Sequence, residues 1–300
     1  RTESQCVEDE EVFNFGEIFT GSVEFTLIVE QVGVNQLWGA EVTLDFGLVV
    51  DEENDETEWI PLGVWDVVSA ERVSGNMIKI KGYDRTNRLN TALTDRSIGW
   101  ISVESAMAQV SKDAGVEFEQ SIEDLKELFP ETDFDNMYGV QLSETCRDEV
   151  KAIAQYLGCF AFANREGKIE FRKYGQGSAN GGFPEITQNQ RFSLKLGEYL
   201  YRIRAFSYTD KFGNITRSLT NQTDSNGAEL NFSDNRYMEV LVSNDSYKTE
   251  SNIREILENI ENRVETSIAY IAAYNHWERR SGEAEFYGNP ALDIGDAVVL

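Results

Sequence analysis

The sequence predicts an α+β protein with β-rich regions at both ends and a small helical unit between them. Three observations carry that prediction. Apolar and polar residues alternate through much of the first hundred positions, a helical period with matched caps takes over from about Ile101 to Gly158, and a glycine-rich stretch at 174–189 precedes a second β-rich region. A chain of 300 residues holds two or three domains of ordinary size.

The first strands show the period of two. Val23, Phe25, Leu27 and Val29 alternate with Glu24, Thr26 and Glu30, apart from Ile28, and Val42, Leu44, Phe46 and Leu48 alternate with Glu41, Thr43, Asp45 and Gly47. Each pattern predicts a strand with one face buried. The acidic run Asp51 to Glu58 interrupts the pattern, which resumes from Trp59 to Val73. Ser74-Gly75-Asn76 then supplies a hairpin turn into Met77 to Tyr83.

Beyond Ile101 the spacing becomes helical. Val103, Ala106, Met107, Val110 and Ala114 follow Ser102 as N-cap, and Gly115 occupies the C-terminal glycine position. Thr145 and Asp148 form the pattern of a capping box ahead of Val150, Ile153, Ala154 and Leu157, a stripe ended by Gly158. A hairpin follows, with Phe160 and Phe162 on one arm, Ile169 and Phe171 on the other, and Gly167 in the turn. Past the linker, Tyr199 to Tyr208, Tyr237 to Val242 and Glu283 to Leu300 read as strands. A third helix is expected at about 252–264, with Ile253, Ile256, Leu257, Ile260 and Val264 on one face.

Charge excludes some partners. The chain has 53 acidic and 27 basic side chains, a net charge of −26 and a pI near 4.4, so its field opposes a phosphate backbone and no specific nucleic-acid binding is expected. Residues 1–60 alone hold 16 acids against the single base Arg1. The longest apolar run, Ile268 to Tyr274, falls far short of the ~20 residues a membrane helix needs. Cys6, Cys146 and Cys159 lack a CxxC spacing and suggest neither a disulfide framework nor a zinc site; synthesis in a reducing cytoplasm fits them. The start without Met and the end in strand-like Val298-Val299-Leu300 read as a fragment of a longer polypeptide.

No catalytic, cofactor-binding or metal-binding set stands out. His276 is the one histidine, which rules out a two-histidine metalloprotease motif and leaves a Ser or Cys nucleophile a single candidate base. Gly-x-Ser-x-Gly and Ser-x-x-Lys are absent, and Gly175-x-Gly177 lacks the third glycine of a dinucleotide loop. Asp51, Glu53 and Asp55 have the spacing of a calcium loop, but Glu56 stands where that loop needs glycine, so a solvated acidic loop is the expected reading.

Five segments, in order, carry a resemblance. They are Pro61-Leu62-Gly63-Val64-Trp65-Asp66-Val67 with Ile78 through Tyr83-Asp84-Arg85, then Val103 to Val116 with Gly115, then Thr145 to Gly158, then Gly167-Lys168-Ile169-Glu170-Phe171, and finally Gly288-Asn289-Pro290-Ala291-Leu292-Asp293-Ile294-Gly295-Asp296. Together they resemble the baseplate hub family of tailed phages and prophages, which includes the N-terminal module of tail-associated lysins and tail endopeptidase-like proteins. The resemblance implies two β-barrel-like tube domains, 1–97 and 174–300, separated by a small helix-helix-hairpin α+β domain at 98–173. It implies a homotrimer forming a pseudo-hexameric ring at the tip of the tail tube in the virion baseplate, in contact with tail tube and distal tail proteins and with a spike or lysin extension. Gly63, Tyr83, Asp84, Arg85, Gly115, Gly158, Gly167, Gly288, Pro290, Gly295 and Asp296 are then structural motif residues, and no enzyme activity is expected. Two rival readings are a tail-associated cell-wall hydrolase and a host-glycan binding module built on Trp38, Trp59, Trp65, Trp100 and Trp277.

Overall fold

The computed structural model of the chain describes residues 2–3, 16–29, 33–51, 54, 56–94, 99–130, 132, 134–135, 137–139, 144–173, 191–209, 215–219, 237–242, 279–286, 292 and 294. The fold is mixed α+β and mostly strands, with a sheet that curls into a half-barrel. The helix expected at 252–264 lies outside the described residues, as does most of the closing segment.

Strands β1 (Thr2–Glu3), β2 (Ser22–Ile28), β3 (Glu41–Asp51), β4 (Glu56–Ser74) and β5 (Met77–Asp84) form one sheet in the order β1-β2-β5-β4-β3. The alternation in β2 is that of a strand with one buried face: Val23, Phe25 and Leu27 turn inward, while Glu24, Thr26 and Ile28 are exposed. Val67, Ile78 and Ile80 form the centre of the covered face. Phe25, Leu27, Val42 and Ala70 pack around them, together with Val34 and Leu37 of the short helix α1 (Val34–Leu37). Ser74-Gly75-Asn76 makes the expected β4–β5 hairpin, with Ser74 opposite Met77.

Beyond Gly63, β4 runs on without β5. Its first half, Glu56 to Gly63, pairs only with β3, so the two strands extend past the core as a two-stranded ribbon. Phe46 and Leu48 keep the inward side of the alternation but stay largely exposed there, because the core ends before they are reached.

The helical unit follows a 3-10 helix at Arg85–Asn90 and contains β6 (Gly99–Ile101), α2 (Val103–Ala114), α3 (Ile122–Leu128), β7 (Met137–Gly139), α4 (Cys146–Leu157), β8 (Phe160–Ala163) and β9 (Ile169–Arg172). Local chemistry sets the helix ends as the sequence predicts. Ser102 accepts from the Ser105 N–H, and Gly115 takes φ +64° at the end of α2. Thr145 and Asp148 exchange the two hydrogen bonds of a capping box. Val103, Val110, Val150, Ile153, Leu157 and Ile169 are fully buried in one core that also takes in Leu89 and Leu93 from the preceding segment.

The third group is β10 (Arg191–Thr209), β11 (Ile215–Leu219), β12 (Tyr237–Val242) and β13 (Arg279–Phe286). Strand β10 is its spine, antiparallel to β13 over its first half and flanked over its second half by β11 and the parallel β12.

Candidate functional site: the joint between sheet and helical unit

Of the motif residues that the sequence singles out, Gly63, Asp84, Arg85, Gly115, Gly158 and Gly167 lie where the first sheet meets the helical unit. Strand β5 ends at Asp84, whose carboxylate then caps the 3-10 helix by accepting from the Thr86 N–H at 2.9 Å. The same carboxylate accepts from the Thr86 hydroxyl at 2.5 Å and, through its other oxygen, from the Gly21 N–H at 2.7 Å. Asp84 is thereby 8% exposed. Asp84 thus acts as a cap and not as a partner of its neighbour Arg85, whose guanidinium turns to Asp66 and Glu41. Asp66 also receives Arg88 through two bonds of 2.7 Å, while Arg88 reaches the Gly115 carbonyl at 3.3 Å. Tyr83, on the opposite side of β5, lies under the Lys81 ammonium.

Residues 16–21 form a strap across the joint. At one end the Gly16 N–H donates to the Cys159 carbonyl and Ile18 bridges to Ala161 of β8, which places Gly158, at φ +67°, directly before the anchoring residue. At the other end the Asp84 N–H donates to the Gly21 carbonyl. Arg147 on α4 locks the middle, donating to the carbonyls of Ile18 and Thr86, to the Thr20 hydroxyl and to Asn90. This strap carries no periodic pattern and escapes sequence reasoning.

The β8–β9 turn closes the joint from the other side. Gly167 takes φ +79°, and a Cβ there would stand 2.9 Å from the Val64 Cβ and 3.3 Å from the Arg85 Cγ. Gly63, one residue before Val64, takes φ +135° with the Trp65 indole against it. Arg165 donates to the carbonyls of Pro61 and Leu292, and Arg172 donates to that of Ile294. The closing segment is thus tied to the hairpin through its main chain. Gly288, Pro290, Gly295 and Asp296 themselves lie outside the described residues.

The electrostatics are those of a packed joint. Burial pushes the Asp84 carboxyl up to about 6, against the hydrogen bonds of Thr86 and Gly21 and the Arg147 guanidinium. Burial likewise lifts the Cys146 thiol to about 11, which keeps it protonated and inert at neutral pH. No group of three metal-ligating side chains occurs among the described residues, and His276 lies outside them.

A pH dependence follows from Asp84. The folded state holds its proton up to about pH 6, while an unfolded aspartate releases it near 3.8. Between those values the folded state binds more protons, so this group's contribution to stability falls as pH rises and levels off above 6. The expected loss is about 3 kcal/mol across that window. Urea unfolding from pH 4 to 7 should show Asp84→Asn gaining on the wild type by that order as pH rises; parallel profiles would refute it.

No protein-family model matches the chain, and no curated protein matches it. Among solved structures it is similar to phage and prophage tail proteins. The prophage MuSo2 43 kDa tail protein from Shewanella oneidensis shares 11% identity at a TM-score of 0.41, covering 81% of this chain and 71% of that one. A tail protein from Neisseria meningitidis MC58 shares 10% at 0.42, covering 82% and 68%. The prophage tail protein gp18 from Listeria monocytogenes EGD-e shares 13% at 0.42, again covering 82% and 68%.

Proposed function

We propose that this chain is a structural protein of a phage or prophage tail, and within the tail the baseplate hub: three copies in a pseudo-hexameric ring at the tip of the tube, passing DNA and tail proteins. The observation that carries the reading is where the family motifs fall. Gly63, Asp84, Arg85, Gly115, Gly158 and Gly167 all serve one joint, in which carboxylates and guanidiniums are spent on capping, strapping and cross-bracing. Such a joint braces the sheet against the helical unit, which suits a structural part of a tail.

Charge suits a channel. Three copies carry −78, three times −26, and like charge repels a phosphate backbone within a Debye length of roughly 8 Å at physiological salt. The test is particle mass and ring symmetry by electron microscopy of the concentrated chain, with DNA binding measured at low salt and turbidity measured on purified cell walls. A three-copy ring that neither retains DNA nor clears walls is expected. Tight DNA binding, or clearing abolished by one carboxylate substitution, would overturn the reading.

A further inference from the structure

We infer that the free edge of β3 takes an added strand from a different protein, an extended segment in which apolar residues alternate with lysine or arginine. The inference goes beyond the ring reading and stands without it. Strand β3 ends its sheet: among the described residues it pairs with β4 alone, which leaves its other edge open to a further strand. Such edges are commonly blunted by lysine, by proline or by short length, and β3 is 11 residues long with neither residue. The opposite edge of the sheet is shorter, 7 residues in β2, and β1 covers its start.

The side chains along β3 define what the added strand must carry. Val42, Leu44, Phe46 and Leu48 share one face, the last two 44% and 46% exposed, and Ile60 stands opposite Phe46. Neighbours on an added strand would lie beside them, so that side of the strand must be apolar. The other face carries Glu41, Thr43, Asp45 and Gly47. Arg85 already holds Glu41, and Asp45 remains as the exposed acid of that face. Trp59 lies across Gly47 with its ring 66% exposed, so a base opposite Gly47 would meet an aromatic face as well as a carboxylate. Glu58, opposite Leu48, adds to the same field, and residues 41–61 hold eight acids and no base. A second copy brings the wrong sign at its sheet edges, because its β3 repeats these acids and its β2 carries Glu24 and no base. A strand that alternates apolar and basic residues satisfies both faces, with main-chain bonds supplying affinity and alternate side chains specificity.

The test uses the full chain and a synthetic probe. A fluorescent peptide as long as β3, alternating valine and lysine, is titrated and followed by anisotropy. Its controls are the alternating valine and glutamate peptide, and a peptide with the same valine and lysine content arranged in two blocks. Hydrogen exchange read by mass spectrometry locates the contact. The alternating basic peptide is expected to bind, the block peptide about tenfold more weakly and the acidic one not at all, with protection rising over 41–51 and not over 22–28. Phe46→Ser with Leu48→Ser should weaken binding about tenfold, and Asp45→Lys with Glu58→Lys should transfer the preference to the acidic peptide. All four side chains are exposed, and unchanged thermal unfolding checks that the variants keep the fold. Equal binding of block and alternating peptides, protection gained elsewhere, no binding, or variants without effect would overturn the inference. So would protection over 41–51 that rises with the concentration of the chain alone, since the occupant would then be a second copy. Ring symmetry decides the hub reading independently of each of these outcomes.

Discussion

Gly167→Ala is expected to destabilise the protein by about 3 kcal/mol, from two separable causes. The first is the backbone: at φ +79° an L side chain is strained, at a cost of about 1 kcal/mol or more. The second is the approach between hairpin and sheet, because the new Cβ would stand 2.9 Å from the Val64 Cβ and one of the two units must shift. Gly115→Ala provides the control. Gly115 has a similar φ of +64° but nothing within 4 Å, so alanine there should cost only the backbone share of about 1 kcal/mol. Trimming the opposing side chain separates the two causes further. Val64→Gly, which removes the opposing Cβ itself, in the Gly167→Ala background should recover about 1 kcal/mol or more relative to additivity, measured by urea unfolding of the four-member cycle. An additive cycle, or equal costs at Gly115 and Gly167, would show that the close approach carries no energy.

Elements with local grammar were legible in the sequence. The Ser102 cap, the Thr145–Asp148 box and the glycines at 115 and 158 place α2 and α4 without tertiary information, and Ser74-Gly75-Asn76 places the β4–β5 hairpin. Helix α3 was missed although its cap was available: Ser121 and Asp124 form a capping box, but seven residues with apolar side chains only at Ile122, Leu125 and Leu128 give too short a period to register. The 3-10 helix was hidden because Asp84 is at once the last strand residue and the cap. Aromatic residues misled in a different way. On the same strand Trp65 is buried and Trp59 is exposed, since a strand pattern tells which face a residue occupies and not where along the strand the core stops. The candidate site was legible as a set of residues and not as a joint. Asp84 and Gly167 stand out in the sequence, while the residues 16–21 that Asp84 holds, and the Val64 that Gly167 meets, are brought together only by tertiary packing.

Arg147 is the residue on which that joint should fail. Its guanidinium reaches four acceptors on two segments: the carbonyl of Ile18 and the hydroxyl of Thr20 in the strap, and the carbonyl of Thr86 and the side chain of Asn90 in the 3-10 helix. Removing it takes four hydrogen bonds from a partly buried setting, so Arg147→Ala is expected to cost about 2–4 kcal/mol. Lysine should not rescue it. A single ammonium keeps the charge but has no planar fork with which to span four acceptors, so Arg147→Lys should lose more than half of the same amount. Hydrogen exchange localises the effect. The Gly16 and Gly21 amides, which donate to the Cys159 carbonyl and the Asp84 carboxylate, should lose protection in both variants, while the centre of α4 keeps it as long as the unit stays folded. A second readout tests the electrostatics. The Arg147 cation lowers the Asp84 carboxyl, so its removal should raise that group above about 6 and extend to higher pH the range over which stability declines. An Arg147→Lys variant as stable as the wild type, with Gly16 and Gly21 still protected, would show that charge alone suffices there and that the strap is held by something other than this fork.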